Sequence, residues 1–319
     1  MHKAIDLSLV IPLLNEKESL IPLHDWIVEV FEKENYTYEL IFIDDGSIDG
    51  SWDVISELYN KDQRVKGIRF IKNFGKSQAL HAGFESAKGD YIVTLDADLQ
   101  DSPEEIPQLI ETLKKGGFDM ISGWKKKRYD SVLFKNLPSK LFNWAARRVS
   151  GIKLHDFNCG LKAYRKEVIK NIDVHGEMHR YIPVLAAHEG FKNIEEQIVK
   201  HQARQFGKTK FGVDRFFKGF LDLITLWFVN RFGKRPMHFF GLWGSLMLLF
   251  GLAFTLYLGI DKLYFDTNAR LITERPELYI ALTLMILGSQ FFIAGFLGEI
   301  FLRAKKSNKR YVVRNQVNI

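Results

Sequence analysis

One short stretch carries four oxygen-bearing side chains at the end of a predicted strand. Asp96, Asp98, Gln100 and Asp101 follow the strand-forming residues 91–95 and precede a predicted helix start. Two carboxylates one residue apart repel each other and are costly to desolvate, so a cation is expected between them. Hard divalent ions take oxygen ligands from one or two carboxylates together with substrate phosphates. The stretch therefore predicts a divalent cation that holds a diphosphate; the alternative is a solvated turn with helix-capping aspartates.

A second strand in the same region also ends in acids, at Asp44 and Asp45. Strands alternate with helices here, which predicts an α/β fold with a mostly parallel, Rossmann-like sheet. Ligands bind at the carboxyl ends of strands in such sheets, so both acidic loops are expected at one edge. The loop after the first strand contains Pro12 and no glycine, which argues against dinucleotide binding. The predicted strands are 7–11, 39–43, 66–71, 91–95, 118–122, 161–164 and 194–199; predicted helices start at Asn15-Glu16 and cover 51–59, 78–87 and 103–115.

The charge balance and the cysteine content narrow the function classes. The 319 residues include 45 Lys and Arg against 38 Asp and Glu, a formal net charge of +7. This excess suits anionic partners, so nucleic acid, a membrane surface and nucleotide sugars stay open. The single Cys159 excludes an intrachain disulfide and is interpreted as a packed side chain, because no partner base is recognisable. No secretory signal is expected, because the first apolar run, 7–14, is short and broken by Pro12.

Two long apolar runs lie near the carboxyl end. Residues 239–260 carry no charge over 22 positions, which corresponds to about 33 Å of helix, and residues 278–301 carry only Glu299. Each run is long enough to span a bilayer. The alternative, a pair of buried core helices, is disfavoured because two such runs with little between them lack a soluble core to enter.

The flanking charges predict the orientation of these runs. Arg231, Lys234 and Arg235 precede the first run, six Lys and Arg residues follow the second within 303–314, and the 261–277 loop has three basic and four acidic residues. By the positive-inside rule, both termini are cytoplasmic and the loop is external. The predicted organisation in the inner or plasma membrane is a cytoplasmic domain at 1–210, an interfacial amphipathic helix at 211–235, two transmembrane helices at 236–302 and a basic cytoplasmic tail at 303–319.

Two amphipathic stretches support an association with the membrane surface. Residues 211–232 are rich in Phe, Leu and Trp, and their polar residues share one narrow helical stripe. The 130–150 region places Trp144 and basic residues at helical spacing, which favours a membrane-surface helix, with packing on the sheet as the alternative. The basic run 123–128 has two interpretations: a segment with a role in function, or a solvent-exposed loop.

Six motifs occur in order along the chain. They are Val10-Ile11-Pro12 with Asn15-Glu16, Asp44-Asp45-Gly46-Ser47, Asn73-Phe74-Gly75-Lys76, Asp96 to Asp101, Asn158-Cys159-Gly160 and Arg204 to Lys210. In this order they resemble the family-2, GT-A-fold polyprenyl-phosphate glycosyltransferases, akin to the bactoprenol glucosyltransferases and dolichyl-phosphate mannose synthase. The resemblance covers nearly the whole chain, including both apolar runs.

The resemblance implies roles for individual residues. Nucleotide-sugar binding is implied for Pro12, Glu16, Ile43, Asp45, Lys76, Asp96 and Ala97, with Lys125 or Arg128 as the upstream basic residue. A divalent metal, Mg or Mn, is implied at Asp96, Asp98 and Gln100. The diphosphate and the acceptor phosphate are assigned to Arg204 and Lys210, with His179 and Arg180 at the acceptor entrance or, alternatively, in a capped helix start. The implied catalytic residues are Asp98, Asp156 and Arg204.

The implied reaction is the inverting transfer of a hexose to undecaprenyl or another polyprenyl phosphate at the cytoplasmic face of the bilayer. Glucose from UDP-glucose is the first expectation and mannose from GDP-mannose the second. The acceptor phosphate is already ionised near neutral pH, with a second pKa of about 6, so Asp156 is expected to orient substrate more than to abstract a proton. The rivals are a polysaccharide synthase and a non-catalytic membrane-bound partner protein. A homo-oligomer is expected, with a tetramer as one form, and no nucleic-acid partner.

Overall fold

The structure is a computed structural model of the chain. It describes residues 5–34, 36–126, 143–144, 146–148, 150–174, 176, 178–202, 228, 235–265, 271–304 and 313–317. The chain divides into two compact units: Met1–Leu226 with Lys309–Ile319, and Trp227–Asn308. The first unit contains the sheet, and the second contains the long apolar helices.

The described strands form one mixed sheet. They are β1 (Leu7–Leu13), β2 (Tyr38–Asp44), β3 (Val65–Phe70), β4 (Tyr91–Thr94), β5 (Met120–Trp124), β6 (Lys162–Arg165), β7 (Ile194–Ile198) and β8 (Val313–Val317). Their order is β7-β5-β6-β4-β1-β2-β3-β8. Strands β3, β2, β1 and β4 are parallel, as are β5 and β7, whereas β6 and β8 run antiparallel to their neighbours. The predicted mostly parallel α/β sheet is confirmed, and β8 is a strand that the sequence analysis did not predict.

Helices cover both faces of this sheet, which explains why its central strands are buried throughout. The helices are α1 (Lys17–Glu34), α2 (Ser51–Lys61), α3 (Lys76–Ser86), α4 (Ile106–Lys115), α5 (Lys166–Asn171) and α6 (Ile182–His188). Successive side chains of a strand point to opposite faces. Leu9 therefore packs with Leu23 and Leu109 beneath α1, α2 and α4, whereas Val10 packs with Leu80 and Ile182 beneath α3, α5 and α6. The central strands are therefore covered on both faces, and the acidic loops follow at their carboxyl ends.

Only part of each predicted surface helix is described. Residues 143–144, 146–148 and 150 are helical, and Ala146 is buried against Leu154 and Phe157 of the first unit. Trp144 is 58% exposed. The described part of the 130–150 region thus packs on the sheet domain, the alternative left open above. The 211–235 helix lies outside the described residues, apart from two positions at 228 and 235.

The second unit is a helical hairpin of α7 (Pro236–Ile260) and α8 (Pro276–Ala304). Small residues bring the helices together: a Cβ added at Gly244 would lie 2.7 Å from the carbonyl oxygen of Gly288. At the turn, Arg275 Nη1 lies 2.8 Å from Asp261 Oδ2. The stretches Pro236–Phe265 and Pro276–Ile300 are each long and apolar enough to cross a membrane, as the sequence predicts.

Candidate active site

The acidic loop after β4 forms the centre of the candidate site. Asp98 is mostly buried, and one of its carboxylate oxygens accepts a hydrogen bond of 3.2 Å from the backbone N–H of Gln100. Leu99 has a φ of 60°, so the chain turns sharply between them. Burial, followed by the negative charge of Asp96, raises the pKa of Asp98 above its ordinary value. The loop therefore holds carboxylates that a cation would stabilise.

The chemistry of the donors fits a hard divalent cation. Asp96, Asp98 and Gln100 offer carboxylate and amide oxygens, the ligand type that Mg²⁺ and Mn²⁺ prefer. Within the described residues, no group of three His, Cys, Asp or Glu side chains forms a complete metal cage. A site of this composition suits a cation that receives its remaining ligands from substrate phosphates and water.

Lys76 stands against the first of these carboxylates. It begins α3, and its Nζ lies 2.5 Å from Asp96 Oδ1, with about a third of each side chain exposed. Gly75, which precedes the helix, has a φ of 99°, a conformation that favours glycine. The predicted residues Lys76 and Asp96 are therefore brought together at the same edge of the sheet.

The loop after β2 reaches that edge as well, because β2, β1 and β4 are parallel neighbours. The Asp45 carboxylate accepts hydrogen bonds from the backbone N–H groups of Phe74 (2.7 Å) and Gly75 (2.9 Å). Burial, with a further contribution from Asp44, raises the pKa of Asp45 to about 6 despite these bonds. A Cβ at Gly46 would lie 2.4 Å from the backbone of Lys72, so glycine is required for this close approach.

The loop after β1 interlocks with the loop after β2. Asn15 has a φ of 55°; its N–H donates to Ser47 Oγ (2.8 Å), and its Oδ1 accepts from the Ile48 N–H (2.9 Å). The N–H of Glu16 donates to Ser51 Oγ (3.1 Å). Pro12 lies inside β1, opposite Ile43 of β2. Hydrogen bonds that involve side chains therefore hold the loop after β1, at the position where a dinucleotide site has a glycine-rich turn.

Two predicted nucleotide-sugar residues have side chains in the hydrophobic cores. Ile43 packs beneath α3, and Ala97 packs with the core beneath α1 and α4. Only their backbone atoms are left to face a ligand. The sequence does not show whether such a side chain faces the ligand or the core, because a small or branched apolar residue beside a motif is compatible with both.

Lys125 is engaged in a buried ion pair. Its Nζ lies 2.6 Å from Asp101 Oδ1, and His201 Nδ1 lies 3.7 Å from the same oxygen. Burial alone would raise the pKa of Asp101, but Lys125 and His201 lower it to about 2. The N–H of Gln202 also donates to the carbonyl oxygen of Gln100 (2.8 Å). Arg204, Lys210 and Arg128 lie outside the described residues.

The loop with Asp156 packs against the acidic loop. Asp156 is buried, and its Oδ1 accepts from the Asn158 N–H (3.0 Å). Thr94 Oγ1 at the end of β4 donates to the Gly160 carbonyl oxygen (2.7 Å). A Cβ at Gly160 would lie 2.5 Å from Asp96 Oδ2, so the two loops touch at that glycine. The loop that contains Asp156 therefore contacts the loop of the predicted metal ligands through Gly160.

Cys159 is a packed residue, as the sequence analysis expected. Its side chain belongs to the core beneath α1, α2 and α4, and burial raises the pKa of its thiol to about 12. A protonated buried thiol is a poor nucleophile.

His179 and Arg180 lie beside the start of α3. They belong to a 3₁₀ helix, Met178–Tyr181, and the N–H of His179 donates to Ser77 Oγ (3.0 Å). With Lys76, Asp96 and Lys162 they line a small recess of about 20 Å³. Lys162, on β6, is fully buried and its pKa is lowered by that burial. Nothing local in the sequence distinguishes Lys162, because lysine side chains are almost always exposed to solvent.

The chain is similar to known proteins over nearly its whole length. A dodecaprenyl-phosphate galacturonate synthase of Rhizobium johnstonii is 34% identical over 317 residues, 98% of this chain and 93% of that protein. An undecaprenyl-phosphate 4-deoxy-4-formamido-L-arabinose transferase of Edwardsiella ictaluri is 33% identical over 97% of this chain and 94% of its own length.

A solved structure shares the fold. Glucosyl-3-phosphoglycerate synthase from Mycobacterium tuberculosis, in complex with Mn²⁺, UDP-glucose and phosphoglyceric acid, superposes with a TM-score of 0.54 at 20% identity, covering 71% of this chain and 79% of that one. Residues 8–173 also match a family described as Glycosyl transferase family 2. The protein is therefore a glycosyltransferase that belongs to glycosyl transferase family 2, with a mostly parallel GT-A-type sheet and two apolar C-terminal helices.

Proposed function

We propose that the protein transfers a sugar from a nucleotide sugar to a polyprenyl phosphate at the membrane. The observation that carries this proposal is that relatives named for polyprenyl-phosphate substrates align with 97–98% of the chain, both apolar helices included. The proposal includes the predicted organisation: a cytoplasmic catalytic domain, two spans and an external loop. A homo-oligomer stays a prediction.

Residues in the loops after β1, β2 and β4 would bind different parts of the nucleotide sugar. Asp45, Glu16 and Pro12 would bind the base and ribose at the edge of the sheet where the parallel strands β1, β2 and β4 end. Asp96, Asp98 and Gln100 would hold Mg²⁺ or Mn²⁺, and the solved relative with Mn²⁺ and UDP-glucose supports this choice. When bound, such an ion stabilises negative charge on the departing diphosphate.

The transfer itself needs one displacement. An oxygen of the acceptor phosphate attacks the anomeric carbon, the bond from that carbon to the nucleoside diphosphate breaks, and the configuration inverts. The attacking phosphate is already ionised, so no proton has to be removed from it. We assign Asp156 to orienting the substrate, and Arg204 and Lys210 to binding the diphosphate and the acceptor phosphate.

Glucose from UDP-glucose remains our first proposal for the sugar, and an anionic hexuronate is the second. The recess beside Asp96 supports the second, because two cationic side chains, Lys76 and Arg180, line it with that single carboxylate. An excess of positive charge would stabilise a sugar carboxylate. The relative named for galacturonate supports this reading.

A panel of labelled donors decides between these sugars. Membranes containing the protein, with added undecaprenyl phosphate, would be given UDP-glucose, UDP-galacturonate, UDP-galactose and GDP-mannose, and the label extracted with lipid would be counted. UDP-galactose and UDP-galacturonate form a matched pair that differs only in the C6 carboxylate. Label in a polymer would indicate a polysaccharide synthase, and no transfer from any donor would contradict the proposal.

Binding of the nucleotide is expected to weaken at acidic pH through Asp45. Its pKa of about 6 means that the carboxylate becomes protonated below that pH and stops being a pure hydrogen-bond acceptor for base or ribose. Between pH 7 and pH 5, the UDP affinity of the wild-type protein should therefore fall about tenfold more than that of Asp45→Asn. The asparagine variant is the control because titration of the diphosphate is common to both proteins. Parallel pH curves for the two would refute this role.

A further inference from the structure

Glu196 of β7 binds the backbone at the start of the Asp156 loop. Its Oε1 accepts hydrogen bonds from the N–H of His155 (2.8 Å) and the N–H of Asp156 (2.9 Å). Its Oε2 lies 2.7 Å from His155 Nδ1. The Glu196 side chain is only 7% exposed, although β7 is an edge strand. One carboxylate therefore fixes two successive peptide groups, the second of which is that of Asp156 itself.

Other contacts hold the same loop on either side of this carboxylate. The ring of His155 stacks on Trp124, with ring centres 4.3 Å apart and planes inclined by 14°. At the far end of the loop, the buried ammonium group of Lys162 donates to the carbonyl oxygens of Phe157 and Cys159. An anion thus binds N–H groups where the loop begins, and a cation binds carbonyl groups where it ends.

We propose that Glu196 is a positioning residue for Asp156. Charge-assisted hydrogen bonds from a buried carboxylate to backbone N–H groups are strong, and they determine where the loop starts. The far end is fixed independently, by Thr94 and Lys162. Removing Glu196 therefore frees the half of the loop that contains Asp156 and leaves the half that contacts Asp96 in place. This inference rests on the proposed function, because it takes Asp156 to act in sugar transfer.

The alternative role for Glu196 is only to fasten the edge strand β7. That role would lower stability without a specific effect on Asp156. The two roles predict different results for kcat and for a double variant with Asp156, and the conservative variant shows whether the hydrogen bonds themselves matter. In Glu196→Gln, the single amide oxygen can still accept both backbone N–H groups, and the NH₂ group can donate to neutral His155. A positioning residue is therefore rescued by glutamine and not by alanine.

The test uses the full-length protein in detergent or lipid nanodiscs. Glu196→Ala is expected to accelerate amide hydrogen exchange at least about tenfold in the peptide with residues 155–156. It is expected to lower kcat about 10- to 100-fold, because small misplacements of catalytic groups cost that much, with the KM for the nucleotide sugar within about threefold. Glu196→Gln should stay within about threefold of wild type in both measurements.

Two further variants make the test decisive. In an Asp156→Ala background, Glu196→Ala should change kcat less than about twofold, because its effect passes through the side chain of Asp156. Glu195→Gln is the matched control: Glu195 is the adjacent, exposed residue of the same strand, and this change should alter neither exchange nor kcat.

Several outcomes would overturn the proposal. They are unchanged exchange in Glu196→Ala, independent and multiplicative losses in the double variant, or equal losses in Glu195→Gln. If the wild-type protein transfers no sugar to polyprenyl phosphate, the proposed function fails, while the exchange measurement still decides whether Glu196 fixes the loop.

Discussion

Replacing Asp98 by alanine is expected to lower sugar transfer about 10³-fold, roughly 4 kcal/mol in the barrier. Asp98 is a mostly buried carboxylate of the acidic loop, and burial together with the negative charge of Asp96 disfavours its ionised form. Such an arrangement is costly unless a cation occupies it, so its loss should remove the cation and the stabilisation of the leaving diphosphate. The measurement is lipid-extractable label at saturating Mg²⁺ or Mn²⁺, together with direct titration of Mn²⁺ in the presence of UDP.

Glu104→Gln is the matched control for Asp98→Ala. Glu104 is an exposed acid a few residues further along the same loop, and removing its charge should leave both transfer and Mn²⁺ binding within about twofold of wild type. If Asp98→Ala assembles normally in the membrane but transfers no sugar, the loss is catalytic, which excludes a role only as a non-catalytic partner protein. Retention of most activity in Asp98→Ala would contradict the proposed metal site.

Replacing Gly160 by alanine is expected to lower kcat/KM about 10²-fold while leaving the fold intact. The added Cβ would lie 2.5 Å from Asp96 Oδ2, so the carboxylate must move away from its place beside Lys76. Displacement of about 1 Å in a group that binds the donor is enough for a loss of this size. Kinetics with varied nucleotide sugar measure the effect, and circular dichroism with thermal unfolding monitors the fold.

The control for Gly160→Ala is a glycine with room for a methyl group. A Cβ at Gly259, in α7, would meet no atom within 4 Å, so Gly259→Ala should be neutral in activity. Unfolding of Gly160→Ala, with loss of bound UDP and of secondary structure, would show that the glycine serves packing and would contradict a local effect on Asp96.

The sequence predicts the acidic edge well, because its signals are local. The runs before Asp45 and Asp96 are buried strands flanked by polar loops, and parallel pairing of β2, β1 and β4 brings their ends together. Six motifs in order then suffice to indicate the family. The predicted helix beginning at Asn15-Glu16 starts at Lys17 because Asn15 takes a left-handed conformation to bind the neighbouring loop.

Partners that lie far apart along the chain could not be predicted. Glu196 binds a loop 40 residues earlier, and Lys125 is neutralised by Asp101, 24 residues before it. Nothing local distinguishes Glu196 from Glu195, since alternation on an edge strand decides which of the two faces inward. The antiparallel direction of β6 could not be predicted either, because the sequence of a four-residue strand does not indicate how it pairs with its neighbours.

The last strand has a consequence for how this protein is made. β8 pairs antiparallel with β3 and completes the sheet, yet it is encoded after both apolar helices. A ribosome releases the residues of the acidic loop well before β8, at about 5–20 residues per second. The outer side of β3 therefore stays without its β8 partner throughout synthesis of the two apolar helices. Completion of the sheet is thereby tied to synthesis of both apolar helices, and a nascent chain that stalls in between carries an unpaired strand edge that can pair with other chains.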